Sequence, residues 1–368
     1  LKISNGRFIR KERSDSLYGK IYIPMFGILD FESGIINDSL SGDIIDSTKI
    51  VGTITGVKAR PDSKIDYGNL MNDIVDTTRK YIFDPQMLQT RKWKKFKKKM
   101  SLVFDKATDD IEIFFGFNIL NRKLPFSHYN LFLFPQEPDL KTDNKTHNVY
   151  LEEKGTNTVY LNIKSFGGTA GEMDSIFNLV FSKHYENMIV DLRNNSGGGI
   201  NSAIPFGQYL TTKPLDAGVF LTNKWFREHS DKPDRETYLK IPVSRAKTTE
   251  GFIDELKNNN ARRLVIQPGN KSFRGNIYVL TSHKTASTCE PIVYALKKYG
   301  IATIVGEKTA GAMLSATTVQ VKGKYYIFLP IADFYTFDGI RIDQHGVEPD
   351  IKVKSQKALD YVLENLIK

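Results

Sequence analysis

Cysteine is nearly absent. Cys289 stands alone in 368 residues, which excludes an intrachain disulfide and a cysteine-rich metal site. Histidine is scarce as well. The six histidines, at 128, 147, 184, 229, 283 and 345, show no HxxH or HExxH spacing. No zinc site is therefore expected, and nothing in the sequence calls for another cofactor. No apolar run approaches the length that spans a membrane. There is no internal repeat and no low-complexity tract.

What is present is ordinary globular material. Hydrophobic residues make up 40% and charged residues 26%, enough to build a sizeable core. The length implies two or three domains. The first residue is Leu1, not Met, so an N-terminal segment is expected to have been removed. Had that segment been a signal peptide, the protein would work outside the cytoplasm.

The formal net charge is +10, and Arg91, Lys92, Lys94, Lys95, Lys97, Lys98 and Lys99 supply much of it. Trp93, Phe96, Met100, Val103 and Phe104 recur through the same stretch at helical spacing. The simple reading is an amphipathic helix with a solvated basic face. No nucleic-acid partner is expected. Proximity to a membrane surface is the alternative.

Three regions follow. Residues 1–60 are rich in β-formers broken by turn signals such as Ser33-Gly34 and Ser41-Gly42, and predict a small β domain. Pro61 to Asp66 reads as a linker. Residues 67–128 carry helical periodicity at Leu70, Ile74, Thr78 and Ile82, then from Trp93 to Phe104 and from Ile111 to Ile119. They predict a helical bundle that runs through PFSHYN into an aromatic strand. From 147 to 368 strands alternate with helices, which implies an α/β domain. Within it, residues 213–270 read as polar and irregular apart from a helix near Phe252–Asn258.

The residues 281–290 read TSHKTASTCE between an apolar strand and a helical run. Ser287 and Glu290 have the spacing of a capping box, Ser287 as N-cap and Glu290 three residues on. The same place suits a nucleophile. A serine at a strand-to-helix turn sits where the helix dipole and the Thr288 N–H favour developing negative charge. The logic is that of a nucleophile elbow without a GxSxG sequence. RNNSGGG, 193–199, ends a second apolar run in consecutive glycines. It is either a tight turn or an oxyanion hole, with one N–H from Gly197 or Gly198 and one from Thr288. A serine nucleophile needs a base. His128 in PFSHYN, His283 in TSHK and His345 in DQHGVEPD are the candidates.

Three segments together, VDLRNNSGG, TSHKTASTCEPIVYALKKYGIATIVGEKTAGA and FDGIRIDQHGVEPDI, resemble the S41 family of tail-specific, C-terminal-processing serine peptidases in order and spacing. The resemblance covers roughly residues 67–368. It implies a crotonase-like or Clp-protease-like ββα core. The family motif TASxSE is TASTCE here, so Ser287 matches the nucleophile and Cys289 replaces a serine. One branch of the family draws its base from a lysine in a GEKTFGKG-like turn. Here that turn is GEKTAGAM, with Ala312 at the lysine position and Lys308 four residues early. The tricorn-like branch uses a Ser-His pair near the end of the bundle and a C-terminal carboxylate. Ser127-His128 and Asp343 match it, Asp343 standing where that branch has Glu. On this resemblance Ser287 attacks, His128 is the base, Ser127 and Asp343 orient His128, and Glu290 is structural.

Many members carry a PDZ domain between bundle and core, and the stretch between Phe134 and Val149 is too short for one. The chain is closer to PDZ-less members, including modules of the interphotoreceptor retinoid-binding protein. Two functions are therefore carried forward. The first is a serine endopeptidase acting on extracytoplasmic peptides or proteins. The second is an inactive binding module for lipophilic or peptide ligands. A crotonase-fold acyl-CoA enzyme, the third, would not need the TAS serine. Specificity is expected to lie in a pocket set by residues 213–270. The role of the N-terminal β domain and the oligomeric state are not legible.

Overall fold

A computed structural model describes residues 5–10, 16–23, 27–37, 39–46, 49–57, 66–107, 109–134 and 147–367. The expected linker lies outside them except for Asp66. Its carboxylate caps the first helix, accepting the Asn69 N–H at 3.1 Å.

The N-terminal region is a five-stranded antiparallel meander. Its strands are β1 (Asn5–Arg10), β2 (Ser16–Ile23), β3 (Gly27–Ile36), β4 (Ser39–Asp46) and β5 (Lys49–Val57). In β3, Leu29, Phe31 and Ser33 are buried while Ile28, Asp30 and Glu32 face water. That is the period of two a half-covered strand requires. Leu29, Phe31 and Ile44 make a small core on which Phe115 packs.

Three helices follow, α1 (Tyr67–Tyr81), α2 (Arg91–Phe104) and α3 (Asp110–Leu120). On α2, Trp93, Phe96, Met100 and Phe104 are buried. All seven cations between Arg91 and Lys99 are exposed, so the basic stretch is an amphipathic helix with a solvated face. Behind it lies an aromatic cluster, with ring centroids 5.4 Å apart for Phe96–Phe117 and 5.0 Å for Phe117–Tyr129. The Tyr129 hydroxyl is 2.7 Å from Thr78 Oγ1 in that interior. The short strand β6 (Asn130–Leu133) leaves from Tyr129 and pairs with residues 325–328.

The remainder is α/β. It runs β7 (Val149–Glu153), β8 (Thr158–Ile163), α4 (Ala170–Ser182), β9 (Asn187–Asp191), α5 (Ile200–Leu210), β10 (Leu215–Thr222), α6 (Asn223–Glu228), α7 (Arg235–Lys240) and α8 (Thr249–Asn258). Then come β11 (Ala261–Ile266), β12 (Asn276–Thr281), α9 (Cys289–Lys298), β13 (Thr303–Gly306), β14 (Leu314–Lys322), β15 (Tyr325–Thr336), β16 (Ile351–Lys352) and α10 (Ala358–Asn365). One sheet has the order β16-β13-β12-β9-β8-β7 and is parallel except for β7. All of β9, and all of β12 but Asn276, is buried, the continuous apolar pattern of a sheet covered on both faces. The second sheet is antiparallel, β11-β10-β15-β14, with β6 also on β15. The helices α1–α3 share one core with this sheet: Leu70, Ile74 and Phe117 cluster with Val219, Leu314 and Ile327.

Residues 213–270 are not irregular. They hold β10, α6, α7, α8 and β11, and β10 is buried at every position but Asp216. Such a strand shows no alternation to read. Gly218, at φ 145° beside a bulge in its pairing, looks like a chain break in the sequence.

Phe117→Ala empties the middle of the aromatic cluster and is expected to cost about 3–5 kcal/mol. Lys95→Glu on the solvated face of α2 should stay within about 0.5 kcal/mol of the wild type. Urea unfolding of both variants checks the pair. Equal effects would contradict the assignment of the two faces.

Candidate active site

The strands β9 and β12 lie side by side and parallel, so their loops emerge at the same edge, where open α/β sheets place ligands. The two loops are stitched together. Ala286 donates its N–H to Asn195 O at 3.1 Å. Thr285 Oγ1 donates to Leu192 O at 2.8 Å and Thr288 Oγ1 to Gly198 O at 2.6 Å. Arg193 forms an ion pair with Asp191 at 2.6 Å and donates to Ser355 O at 2.7 Å, bracing the end of β9.

The glycines are required by contact and by conformation. Gly197 has φ 105° and Gly198 φ 147°, values that side chains rarely adopt. A Cβ on Gly197 would lie 2.6 Å from Ser287 Cβ, and one on Gly198 2.3 Å from the Phe166 carbonyl carbon. The two differ in their donors. The Gly197 N–H is committed to Asn195 Oδ1 at 2.8 Å. Among the described residues, the Gly198 and Thr288 N–H groups have no protein acceptor. Of the two glycines the sequence offers, the geometry leaves Gly198 to face a ligand.

Ser287 does not act as the helix cap. The N-cap of α9 is Thr288, with no side-chain cap bond. Ser287 has φ 54°, a left-handed conformation that costs a non-glycine residue energy and gathers at functional sites. The other half of the capping box exists, because Glu290 Oε2 accepts the Ser287 N–H at 3.2 Å. Glu290 goes further. It accepts from Thr309 Oγ1 at 2.5 Å and from the N–H groups of Gly311 and Ala312 at 2.8 and 2.9 Å. Burial pushes its carboxyl up to about 6, against the pull of these donors. Ala312 returns its carbonyl to the Ser287 N–H at 3.0 Å, so the position of the family lysine has a backbone role here.

His128 also has positive φ, 58°. Asn121 Nδ2 braces its neighbours by donating to Tyr129 O and, at 3.0 Å, to Asn130 Oδ1. The imidazole Nε2 is 3.2 Å from Ser287 Oγ. Its Nδ1 is 2.6 Å from Ser127 Oγ, and Ser127 donates to Asp343 Oδ1 at 2.6 Å. Asp343 is fully buried, accepts the Met313 N–H at 3.1 Å and has Arg341 at 3.5 Å. Arg341 is shared with Asp333, which it meets at 2.7 Å. Desolvation pushes His128 down to about 4. It raises Asp343, opposed by Ser127 and Arg341, and lifts Asp333 to about 6.

The structure thus brings Ser287, His128, Ser127 and Asp343 into one chain of hydrogen bonds, with Asp343 reaching the imidazole through Ser127. The rival bases fall elsewhere. His283 is exposed, 3.7 Å from Glu307. His345 Nδ1 contacts Asp343 O at 2.9 Å and lies outside the chain to Ser287. Lys308 pairs with Glu348 at 3.3 Å, half exposed. Cys289 is wholly buried with Sγ 3.5 Å from Asn195 O, and burial pushes its thiol far up. Sequence reading missed Asn195 and the Arg341–Asp333 pair. Arg341 sits two residues before Asp343, the spacing of one strand face, and that was the available signal.

The model for peptidase family S41 matches residues 157–353, more than half of the chain. The probable CtpA-like serine protease of Staphylococcus epidermidis is 26% identical over 226 residues, 60% of this chain and 39% of that one. The chain thus spans about two fifths of the length of the curated relatives it matches. Among solved structures, a lipoprotein from Streptococcus agalactiae aligns with TM-score 0.55 at 14% identity, over 83% of this chain and 97% of that one. The tricorn protease aligns with TM-score 0.51 at 10% identity, over 99% of this chain and 46% of that one. At these identities the two structures speak for the fold, a mixed α/β core as expected.

Glu290→Gln sets an amide NH2 against the backbone N–H groups of Ser287, Gly311 or Ala312, which only donate. It is expected to destabilise the protein by about 1–3 kcal/mol. A urea midpoint equal to that of the wild type would contradict this account of the turn.

Proposed function

The chain belongs to peptidase family S41, and from that premise we propose that it is a serine peptidase that hydrolyses peptide bonds through an acyl-enzyme. The observation that carries the reading is the 3.2 Å approach of His128 Nε2 to Ser287 Oγ. It lies at the outer edge of hydrogen-bond reach, as apo sites often do. In this reading Ser127, spending its proton on Asp343, accepts the Nδ1–H of His128. That fixes the tautomer and leaves Nε2 as the acceptor for the serine proton.

Ser287 Oγ attacks the carbonyl carbon as Nε2 takes its proton. The carbonyl oxygen becomes an oxyanion at the N–H groups of Gly198 and Thr288, donors of a kind worth about 10²–10³ in rate each. His128 then gives the proton to the leaving amine, and the acyl-enzyme forms. A water, deprotonated by the same nitrogen, reverses the steps and frees the acid. The imidazolium that appears twice in this cycle is stabilised by buried Asp343 through Ser127. No lysine is needed, which accommodates Ala312.

The proposal extends to endopeptidase action on extracytoplasmic peptides or proteins, and that extension rests on the family. The binding-module reading asks for no approach of imidazole to hydroxyl, and here the two are in reach.

Labelling with a fluorophosphonate tests the reading. Wild type should label, and Ser287→Ala and His128→Ala should each lose labelling. For hydrolysis, the double variant should be no worse than either single one, because the two groups act as a unit. A folded wild type that does not label would sink the proposal in favour of a binding module. The pH dependence has a sign. Since His128 is pushed down to about 4, its protonated, inactive form prevails only below that value. Labelling should fall as the pH is lowered through about 4 and stay flat between about 5 and 7. A midpoint near the ordinary histidine value would contradict the desolvated setting of the ring.

A further inference from the structure

Beside Ser287 opens a cavity of about 390 Å³. His128, Ser287, Thr288 and Gly198 line it at the reacting groups. Its apolar walls include Ile204 of α5, Phe220 of β10, Phe252 of α8, Ile266 of β11, Ile292 of α9 and Leu314 of β14. None of its lining residues carries a charge, His128 being neutral near pH 7. Of the polar groups in the wall, Thr249 is already used. Its hydroxyl donates to Asn201 Oδ1 at 2.7 Å and accepts the Ile200 N–H at 3.1 Å. The volume lies in the range of small-molecule sites, about 300–1,000 Å³, and far exceeds what one methyl group fills.

The orientation follows from where the helices begin. The helix α5 starts two residues after Gly198, and α9 starts directly after Thr288. Ile200 and Ala203 on one side, and Pro291 and Ile292 on the other, therefore stand behind the two N–H donors. A carbonyl with its oxygen at those donors directs the side chain of its own residue between the two helices. The leaving amine must face His128, whose ring packs against Phe328 with centroids 5.7 Å apart.

We propose that this cavity is the acyl-side specificity pocket, and that the protein cleaves after a large apolar residue of the leucine, methionine or phenylalanine class. The inference rests on the peptidase reading. Small side chains leave the walls unfilled, at a cost of about 10–200-fold for each methylene missing from an apolar pocket. A carboxylate or ammonium group entering it finds no opposite charge, only hydroxyls such as those of Ser196 and Ser315.

The test uses peptidyl diphenyl phosphonates carrying leucine, phenylalanine, alanine, glutamate or lysine at the phosphorus, beside an alkyl fluorophosphonate that lacks a side chain. Inactivation by the leucine and phenylalanine probes should exceed alanine at least tenfold and glutamate at least a hundredfold. Flat rates with intact fluorophosphonate labelling would overturn the pocket and leave the peptidase reading standing. Loss of fluorophosphonate labelling as well would remove that reading, and this inference with it. In a peptide library, an apolar preference confined to the residue after the cleaved bond would also overturn it. Two wall variants sharpen the result. Ile253→Asp, at a half-buried position on α8, should raise the ratio of lysine- to leucine-probe rates at least tenfold. Ile204→Phe should lower the ratio of phenylalanine- to alanine-probe rates. Unchanged ratios in both folded variants would count against the assignment.

Discussion

The Glu290 carboxylate, out of contact with solvent, accepts hydrogen bonds from Ser287, Thr309, Gly311 and Ala312. A buried carboxylate is costly unless its oxygens are satisfied, and here the donors converge from two segments of the chain. The arrangement joins the turn after β12 to the loop after β13. Between them it holds Ser287 in a left-handed conformation, one that by itself costs about 1–3 kcal/mol. The strain has a use. With its N–H turned toward Glu290 and Ala312, the residue leaves its hydroxyl on the side of His128. A serine in the ordinary N-cap conformation would spend that hydroxyl on the helix.

The partner of that hydroxyl arrives from far away in sequence. His128 follows the helices α1–α3, and Asp343 follows β15, yet Ser127 bridges them with two hydrogen bonds of 2.6 Å each. Such agreement between distant segments needs a rigid intermediary. The core shared by the helices and the second sheet supplies it, since Tyr129, next to His128, packs in one cluster with Leu314, next to Met313. Met313 in turn donates to Asp343. The helices are thus the mount of the imidazole.

Much of this was legible in the sequence, and the parts that were not share a cause. Buried α2 positions at Trp93, Phe96, Met100 and Phe104 follow the helical period, so the helix could be read. The residues of β9 and β12 are apolar runs bounded by loops, and could be read as well. The strand β10 could not, because Asp216 and Gly218 interrupt its apolar run and imitate a break. The residues Ser287, His128, Ser127 and Asp343 were found through motif order. Their connection through Ser127 was not, since a hydrogen bond between residues 127 and 343 leaves no local pattern. The choice between Gly197 and Gly198 depended on where one N–H points, which spacing does not encode. Part of the wall of the cavity, Phe220, Leu264 and Ile266, lies where the chain looked featureless.

Cys289 offers a different kind of consequence. It is the only thiol in the sequence, and it lies wholly buried at the first position of α9 with its thiolate form strongly disfavoured by burial. Reactivity of cysteine toward alkylating reagents follows the thiolate and its exposure. The folded chain is therefore chemically silent to maleimides and spin-label thiosulfonates. A cysteine engineered onto any exposed position, on the basic face of α2 or the rim of the cavity, becomes a unique attachment point. The fold comes ready for single-site fluorescence and distance spectroscopy, without first deleting a native residue.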